Sequence, residues 1–195
     1  MVKISKNLNT SGAAPKKFKL TVGAYHRMGR MGFFDNYSKV ELINGAIYTM
    51  SPFTPDHNAH TKKISLFFTK ALDGKATIGS QDAIRLNDNS EPEPDVSILK
   101  YDKDFYLSGH PTPKDILLLI EVSVFTISHD RKIKRKNYAE NKVPEYWMVI
   151  PKQQIIEVYR NPRKGKYTEK HVFKKEDTWT LEVFDLKVKG SDLLI

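Results

Sequence analysis

The sequence contains no cysteine among its 195 residues, and this absence removes several kinds of site. Disulfide bonds, thiolate zinc sites and thiol nucleophiles all need cysteine, so a bound metal would depend on oxygen or imidazole ligands. Oxygen ligands favour Mg²⁺ or Mn²⁺ over structural zinc. We therefore expect any metal cofactor to be Mg²⁺ or Mn²⁺.

Long apolar runs and two catalytic signatures are also missing. No stretch approaches the roughly 20 apolar residues of a membrane span, and the N-terminal segment MVKISKNLNTSGAAPKKFKL lacks the apolar region of a secretory signal. We expect a cytoplasmic protein with no membrane partner. Neither a Gly-x-Ser-x-Gly elbow nor a glycine-rich phosphate loop is present, which argues against serine hydrolysis and nucleoside-triphosphate hydrolysis.

Acidic residues are in deficit. The chain has 23 Asp and Glu against 32 Lys and Arg, a formal net charge of +9, and such a surplus favours polyanionic partners such as nucleic acid. Part of the surplus lies near the N-terminus, where residues 1–17 are predicted to form a disordered basic tail. Residues 18–195 are predicted to form one domain. The net charge alone does not show whether the excess of positive charge lies only in this tail or also in the domain.

Cap and turn signals divide the N-terminal half into a helix, a hairpin and a second helix. Asn44-Gly45 joins two β-prone arms in KVELINGAIYTM, and this dipeptide is typical of a tight hairpin that needs positive φ at both positions. The helices are predicted over VGAYHRMGRMG after Thr21, and from Pro55 to about Leu72 after Thr54.

From Gly79 onward the pattern is mainly that of strands. Five aliphatic residues from Ile116 to Ile120 predict a central strand that is covered on both faces. A helix over SHDRKIKRKNYAEN joins this strand to EYWMVI, which indicates a β-α-β crossover and a partly parallel sheet. The other predicted strands are SQDAIRL, DVSILK, QIIEVYR, YTEKHVF and WTLEVFDLKV. The predicted fold class is α/β (α+β), a mixed sheet flanked by helices.

Two carboxylates at strand ends are the first candidates for a functional site. Asp95 opens DVSILK and Glu121 ends the aliphatic run. If these strands are antiparallel neighbours, the two acids meet, and two close carboxylates repel unless a cation such as Mg²⁺ lies between them. Alternatively, both residues have structural roles only. Asp95 would then open a strand or cap a turn, and Glu121 would pair with a surface lysine.

The helix that follows Glu121 can supply a positive charge to this edge. Lys134 and Tyr138 are four residues apart, with Asp130 one turn earlier, so all three share a face. A lysine there could stabilise charge on a phosphorane-like transition state or orient the attacking water. A solvated surface lysine is the alternative. The same helix carries further basic residues that could hold phosphates, namely Arg131, Lys132, Arg135 and Lys136.

Histidine and aromatic residues have simpler interpretations. His57 and His60 are three apart at a helix start, and we interpret them as facing solvent or a loop rather than as metal ligands. Tyr138, Tyr146 and Trp147 could stack on bases, but core packing is the preferred interpretation.

The order of these motifs resembles a large family of restriction-endonuclease-like proteins of unknown function within the PD-(D/E)XK nuclease superfamily. Pro94-Asp95, the IEV that contains Glu121, and DRKIKRKNYAENKVPEYWMV carry the resemblance, together with VELINGAIYTMSP and HNAH earlier in the chain. The resemblance extends from about Phe18 to the C-terminus. It implies a restriction-endonuclease-like mixed sheet flanked by helices.

The resemblance also implies roles for individual residues. Asp95 and Glu121 would be catalytic metal ligands, with the backbone carbonyl of Val122 as a further ligand and Glu41 as a supporting acid. The third motif residue would be a lysine at position 123, where this chain has Ser123. A lysine that has migrated to the following helix would replace it, and Lys134 matches that pattern.

Three functions remain open from the sequence. The first is a Mg²⁺-dependent endonuclease that cuts DNA, and it could act as a homodimer because many enzymes that cut both strands are dimers. The second is a non-catalytic module that binds nucleic acid or protein, which Ser123 motivates. The third is a metal-dependent hydrolase of a smaller phosphorylated molecule.

Overall fold

A computed structural model describes residues 16–50 and 52–195. Most of the predicted basic tail, residues 1–15, lies outside the described residues, while Lys16 and Lys17 are exposed and belong to no helix or strand. Across the described ranges, no helix has the length and apolar character needed to cross a membrane.

The N-terminal part of the chain folds as its cap and turn signals predict. Thr21 accepts a hydrogen bond from the Ala24 amide at 3.2 Å, and Thr54 caps the second helix in the same way. Both residues of the Asn44-Gly45 turn have positive φ, 52° and 78°. The elements are α1 (Val22–Arg30), β1 (Val40–Ile43), β2 (Ala46–Thr49) and α2 (Pro55–Ala71).

Gly45 lies directly against the segment that precedes α1. A β-carbon at Gly45 would lie 2.8 Å from Lys19 Cα, whereas one at Gly74, where φ is also positive, would meet no atom within 4 Å. We expect Gly45→Ala to lower the free energy of unfolding by roughly 3 kcal/mol and Gly74→Ala by about 1 kcal/mol, because only the first adds a backbone clash to the conformational strain. Urea denaturation of both variants checks this, and equal losses would contradict it.

A six-stranded mixed sheet forms the centre of the fold. Its strand order is β3-β4-β5-β6-β7-β8, and only β5 and β6 are parallel. The crossover between them contains α3 (Ile127–His129), a π-helical turn (Asp130–Lys134) and α4 (Arg135–Glu140). The strands are β3 (Ala76–Gly79), β4 (Val96–Lys100), β5 (Ile116–Val122), β6 (Glu145–Ile150), β7 (Ile155–Arg163) and β8 (Lys166–Lys174). The predicted mixed sheet with flanking helices is confirmed.

Each face of the sheet carries its own hydrophobic core. Helix α2 covers one face, where Ile64 and Phe68 pack with Ile120 and Trp147. The other face packs against α4, through Tyr138, and includes Leu119, Tyr146 and Met148. Since side chains alternate along a strand, Glu121 lies on the same face as Leu119, below the crossover helix. The core role expected for Tyr138, Tyr146 and Trp147 is confirmed by their complete burial.

Two strand predictions need correction. The segment SQDAIRL is not a strand, because the Ile84 amide donates to Pro92 O and the Leu86 amide donates to Ser90 O, which folds the segment back as a loop. WTLEVFDLKV is not continuous, because a 3₁₀ turn with a left-handed Asp185 interrupts it. The chain ends with β9 (Thr178–Leu181), β10 (Leu186–Lys189) and α5 (Gly190–Leu193).

Candidate active site

The antiparallel pairing of β4 and β5 brings the start of one strand to the end of the other. Val96 pairs with Ile120, so Asp95 lies beside the end of β5. The Val122 amide donates to Asp95 Oδ2 at 2.8 Å. Asp95, Glu121 and Val122 line one pocket, whose empty volume is about 530 Å³ including its open mouth.

Glu121 is almost fully buried and is held through one of its oxygens. Lys134 Nζ donates to Glu121 Oε1 at 2.9 Å, and the Tyr138 hydroxyl donates to the same oxygen at 2.6 Å. Burial raises the pKa of Glu121 well above its ordinary value; Lys134 opposes this rise, while Asp95 and two further carboxylates add to it. Both of these contacts use Oε1, and Glu121 also lines the pocket.

Lys134 connects the crossover helix to the early hairpin. Its Nζ lies 2.9 Å from Glu121 Oε1 and 3.1 Å from Glu41 Oε2. Burial alone would lower the pKa of Lys134, but Glu121, Glu41, Asp130 and Asp95 together raise it well above the ordinary value. The lysine is therefore charged in the folded protein, and Glu41 of strand β1 lines the same pocket.

Position 123 does not supply the motif lysine or face the pocket. Ser123 is completely buried, and its hydroxyl donates to Asp130 Oδ2 at 2.7 Å. Thr126 also donates to Asp130 Oδ2. Despite these contacts, burial raises the pKa of Asp130. The π-helical turn from Asp130 to Lys134 keeps both side chains on the buried face, although π-helical turns are rare.

His57 is a site residue that the sequence interpretation placed elsewhere. His57 is buried rather than facing solvent or a loop, with Nε2 3.0 Å from Asp95 Oδ1, and Phe53 stacks on its ring at a centroid distance of 4.5 Å. Burial would raise the pKa of Asp95, but the hydrogen bond and charge of His57, followed by Lys134, lower it. His60 is also buried and contacts Asp56 O at 2.9 Å.

The two glutamates before Asp95 each contact a basic side chain from another part of the chain. Glu91 is buried, and its carboxylate contacts the ring of His26. Glu93 pairs with Lys39 at 3.0 Å, and both residues line the pocket. Each acidic residue of the segment 91–95 thus contacts one basic side chain from elsewhere in the chain.

The other basic residues of the crossover helix do not line this pocket. Arg131 makes a two-pronged contact with Glu157, at 3.1 and 2.9 Å. Lys132, Arg135 and Lys136 line a separate groove together with residues of β7 and β8. The structure therefore brings together Glu41, Asp95, Glu121, Val122 and Lys134, and it places the four expected phosphate-binding residues elsewhere.

The chemistry of the pocket fits a small divalent cation. Asp95 and Glu121 offer carboxylate oxygens, but no group of three acidic or histidine side chains is suitably placed to hold a metal within the described residues. Mg²⁺ commonly uses one or two carboxylates and completes its shell with water and substrate phosphate. A site with two carboxylates is therefore adequate for Mg²⁺, whereas it is poor for structural zinc.

The comparison with known families agrees with this architecture. A family model called Uma2, described as "Putative restriction endonuclease", matches residues 23–190. The chain belongs to the Uma2 family. This membership confirms the restriction-endonuclease-like family that the motif order predicted. The description of Uma2 names a nuclease class, and nucleases act on nucleic acid.

Solved structures extend the Uma2 comparison to the fold. A crystal structure described as a "putative nuclease belonging to DUF820" from Anabaena variabilis ATCC 29413 is 16% identical and has a TM-score of 0.61. The match covers 79% of this chain and 88% of that chain. No curated protein sequence matches this Uma2 protein significantly. At this identity the structural likeness supports the shared fold alone.

Proposed function

We propose that this Uma2-family protein is a Mg²⁺- or Mn²⁺-dependent endonuclease that hydrolyses phosphodiester bonds in DNA. The observation that carries the proposal is an excess of buried negative charge around one lysine. Lys134 is surrounded by four carboxylates, Glu41, Asp95, Glu121 and Asp130, each at most 6% exposed. Burial of unpaired charges costs several kcal/mol per ion, and a divalent cation would offset that cost at the pocket.

Asp95, Glu121 and the Val122 carbonyl would hold the cation. When bound, Mg²⁺ or Mn²⁺ supplies Lewis-acid polarisation of a phosphoryl oxygen and lowers the pKa of water. The Val122 amide and His57 fix the Asp95 carboxylate, while Tyr138 and Lys134 fix Glu121 through one of its oxygens. Both carboxylates are thus oriented before any ligand enters.

Lys134 supplies positive charge beside the phosphate. It stays protonated because the surrounding carboxylates raise its pKa, and a preorganised cation stabilises negative charge that develops in the transition state. Glu41 shares Lys134 with Glu121 and so sets the position of its ammonium group. This is the role that a lysine at position 123 would otherwise perform.

The basic groove would bind the DNA backbone away from the cleavage point. Lys132, Arg135 and Lys136 line it together with Lys166 and Lys170. Arg131, beside them on the helix, would contribute while paired with Glu157. Contacts of lysine and arginine with phosphate give affinity and orientation without sequence preference.

The direct test is a divalent-metal titration of DNA cleavage by the wild-type protein. We expect nicking or linearisation of supercoiled plasmid with Mg²⁺ or Mn²⁺, and none in EDTA, because the two carboxylates alone cannot activate water. Isothermal titration with Mg²⁺ in the absence of DNA gives a second readout. Cleavage that continues in EDTA, or no cleavage with any divalent metal, would refute the proposal.

A second candidate function is a nucleic-acid- or protein-binding module without catalysis. Ser123 favours it, because the motif lysine is absent at that position and the serine side chain bonds internally. DNA binding in EDTA together with no cleavage under any metal would favour this candidate. The salt dependence of the DNA affinity would then report how many phosphates the protein neutralises.

A further inference from the structure

An exposed aromatic ring stands at the mouth of the carboxylate pocket. Phe125 lies in the loop between β5 and α3, four residues after Glu121, and is 71% exposed although it lines the pocket. Exposed apolar surface at a groove marks ligand-contact sites, whereas hydrophobic residues scattered singly over a surface need no explanation. Packing within the chain therefore does not account for this ring.

A lysine gives this ring a positive neighbour. Lys152 Nζ lies 3.8 Å from the centroid of the Phe125 ring, and Lys152 is itself exposed. A flat apolar face beside an ammonium group is complementary to a nucleotide, whose base stacks and whose phosphate is negative. The second aromatic residue of the pocket, Phe53, is less available because its ring stacks on His57 and it is only 39% exposed.

The depth of the carboxylates limits which nucleic acids fit. The side chains of Asp95 and Glu121 are only 8% and 4% exposed, so the scissile phosphate must enter the pocket. Bases inside a duplex are covered by their neighbours, and a base must leave the stack before a protein ring can contact its face. A single strand offers both a flexible backbone and free base faces.

We propose that the pocket accepts an unpaired strand, with Phe125 stacked on a base next to the scissile phosphate and Lys152 on a phosphate of the same strand. The proposal rests on the nuclease function proposed above and specifies its substrate as single-stranded or locally unpaired DNA. A duplex would be bound through the basic groove but cut only where its strands separate.

The test measures binding separately from cleavage. Fluorescence anisotropy in EDTA compares a labelled single-stranded oligonucleotide with the blunt duplex of the same sequence. We expect Phe125→Ala to weaken single-strand binding about tenfold and to leave duplex binding unchanged, because stacking on one base is lost. Phe125→Trp should retain single-strand affinity. Phe33→Ala is the matched control, since Phe33 is 59% exposed and lines none of the pockets described above.

The possible outcomes separate the two proposals. Equal effects of Phe125→Ala on single-strand and duplex binding, or no effect on either, would overturn the stacking assignment. Cleavage assays with Mg²⁺ on the same oligonucleotides complete the test. Cutting of fully paired duplex at the single-strand rate would overturn the proposed substrate while leaving the nuclease function intact. Stacking without any cleavage would overturn the nuclease function alone.

Discussion

Replacement of Glu121 by glutamine is expected to reduce Mg²⁺-dependent DNA cleavage by at least about 10³-fold. The amide keeps the size of the side chain and an oxygen for Lys134 and Tyr138, but it removes the negative charge that would bind the cation. Loss of metal-ion catalysis costs several kcal/mol of transition-state stabilisation, and each 1.4 kcal/mol corresponds to about tenfold in rate. Plasmid cleavage and Mg²⁺ calorimetry measure both losses.

The fold of this variant should be intact. Burial raises the pKa of Glu121, so the neutral amide removes a desolvation cost as well as an ion pair. The matched control is Glu145→Gln, because Glu145 is also a buried carboxylate but pairs with Arg160 away from the pocket. Cleavage near the wild-type level by Glu121→Gln, or an equal loss in the control, would contradict the assigned role.

Replacement of Lys134 by methionine is expected to lower the free energy of unfolding by about 3–5 kcal/mol at neutral pH. The substitution keeps much of the side-chain volume and removes the ammonium group that neutralises Glu41 and Glu121. Removal of one partner from a buried ion pair leaves an uncompensated charge, which is strongly destabilising. Urea denaturation gives the loss directly.

The loss in this variant should depend on pH in a defined direction. Without Lys134, the pKa of Glu121 in the folded state rises further, because the lysine is the main influence that lowers it. The folded state then retains a proton that the unfolded state releases near pH 4.5, so stability falls as pH rises above about 4.5. Acidification towards that pH should therefore restore part of the stability of the variant.

An exposed lysine provides the control for this effect. Lys170 pairs with Glu157 but is 44% exposed, and exposed ion pairs contribute about 0–1 kcal/mol. Lys170→Met should thus change the free energy of unfolding by no more than about 1 kcal/mol. A Lys134→Met variant as stable as this control at neutral pH would show that Lys134 does not compensate buried charge.

Local signals in the sequence predicted the elements that carry the site. Thr21 and Thr54 begin helices because their side chains accept from the first-turn amides, and Asn44-Gly45 makes a turn because both residues tolerate positive φ. The long apolar run ending at Glu121 identified β5. Antiparallel neighbours then bring Asp95 to the end of that strand, which is why one sequence could indicate the meeting of residues 26 positions apart.

Tertiary contacts explain what the sequence did not predict. SQDAIRL alternates because Ile84 and Leu86 are buried under a folded-back loop, and alternation alone does not distinguish that loop from a strand.

The sequence did contain a signal that His57 is buried. The buried face of α2 includes Ile64, and a helix returns to the same face seven residues earlier, at position 57.

Helix geometry could also have separated the basic residues from the site. Asp130, Lys134 and Tyr138 share the buried face of the crossover helix. Residues one or two positions away point in other directions, so Lys132 and Lys136 could not share the pocket with Lys134. They line the separate groove for this reason.

The π-helical turn between α3 and α4 makes this region sensitive to chain length. Each residue of an α-helix advances by about 100°, so loss of one residue between Asp130 and Lys134 would rotate one of these side chains away from the other. Substitutions on the outer face of the helix leave that relation unchanged. An insertion or deletion in this segment would therefore disrupt the site, whereas substitutions of its surface residues would not.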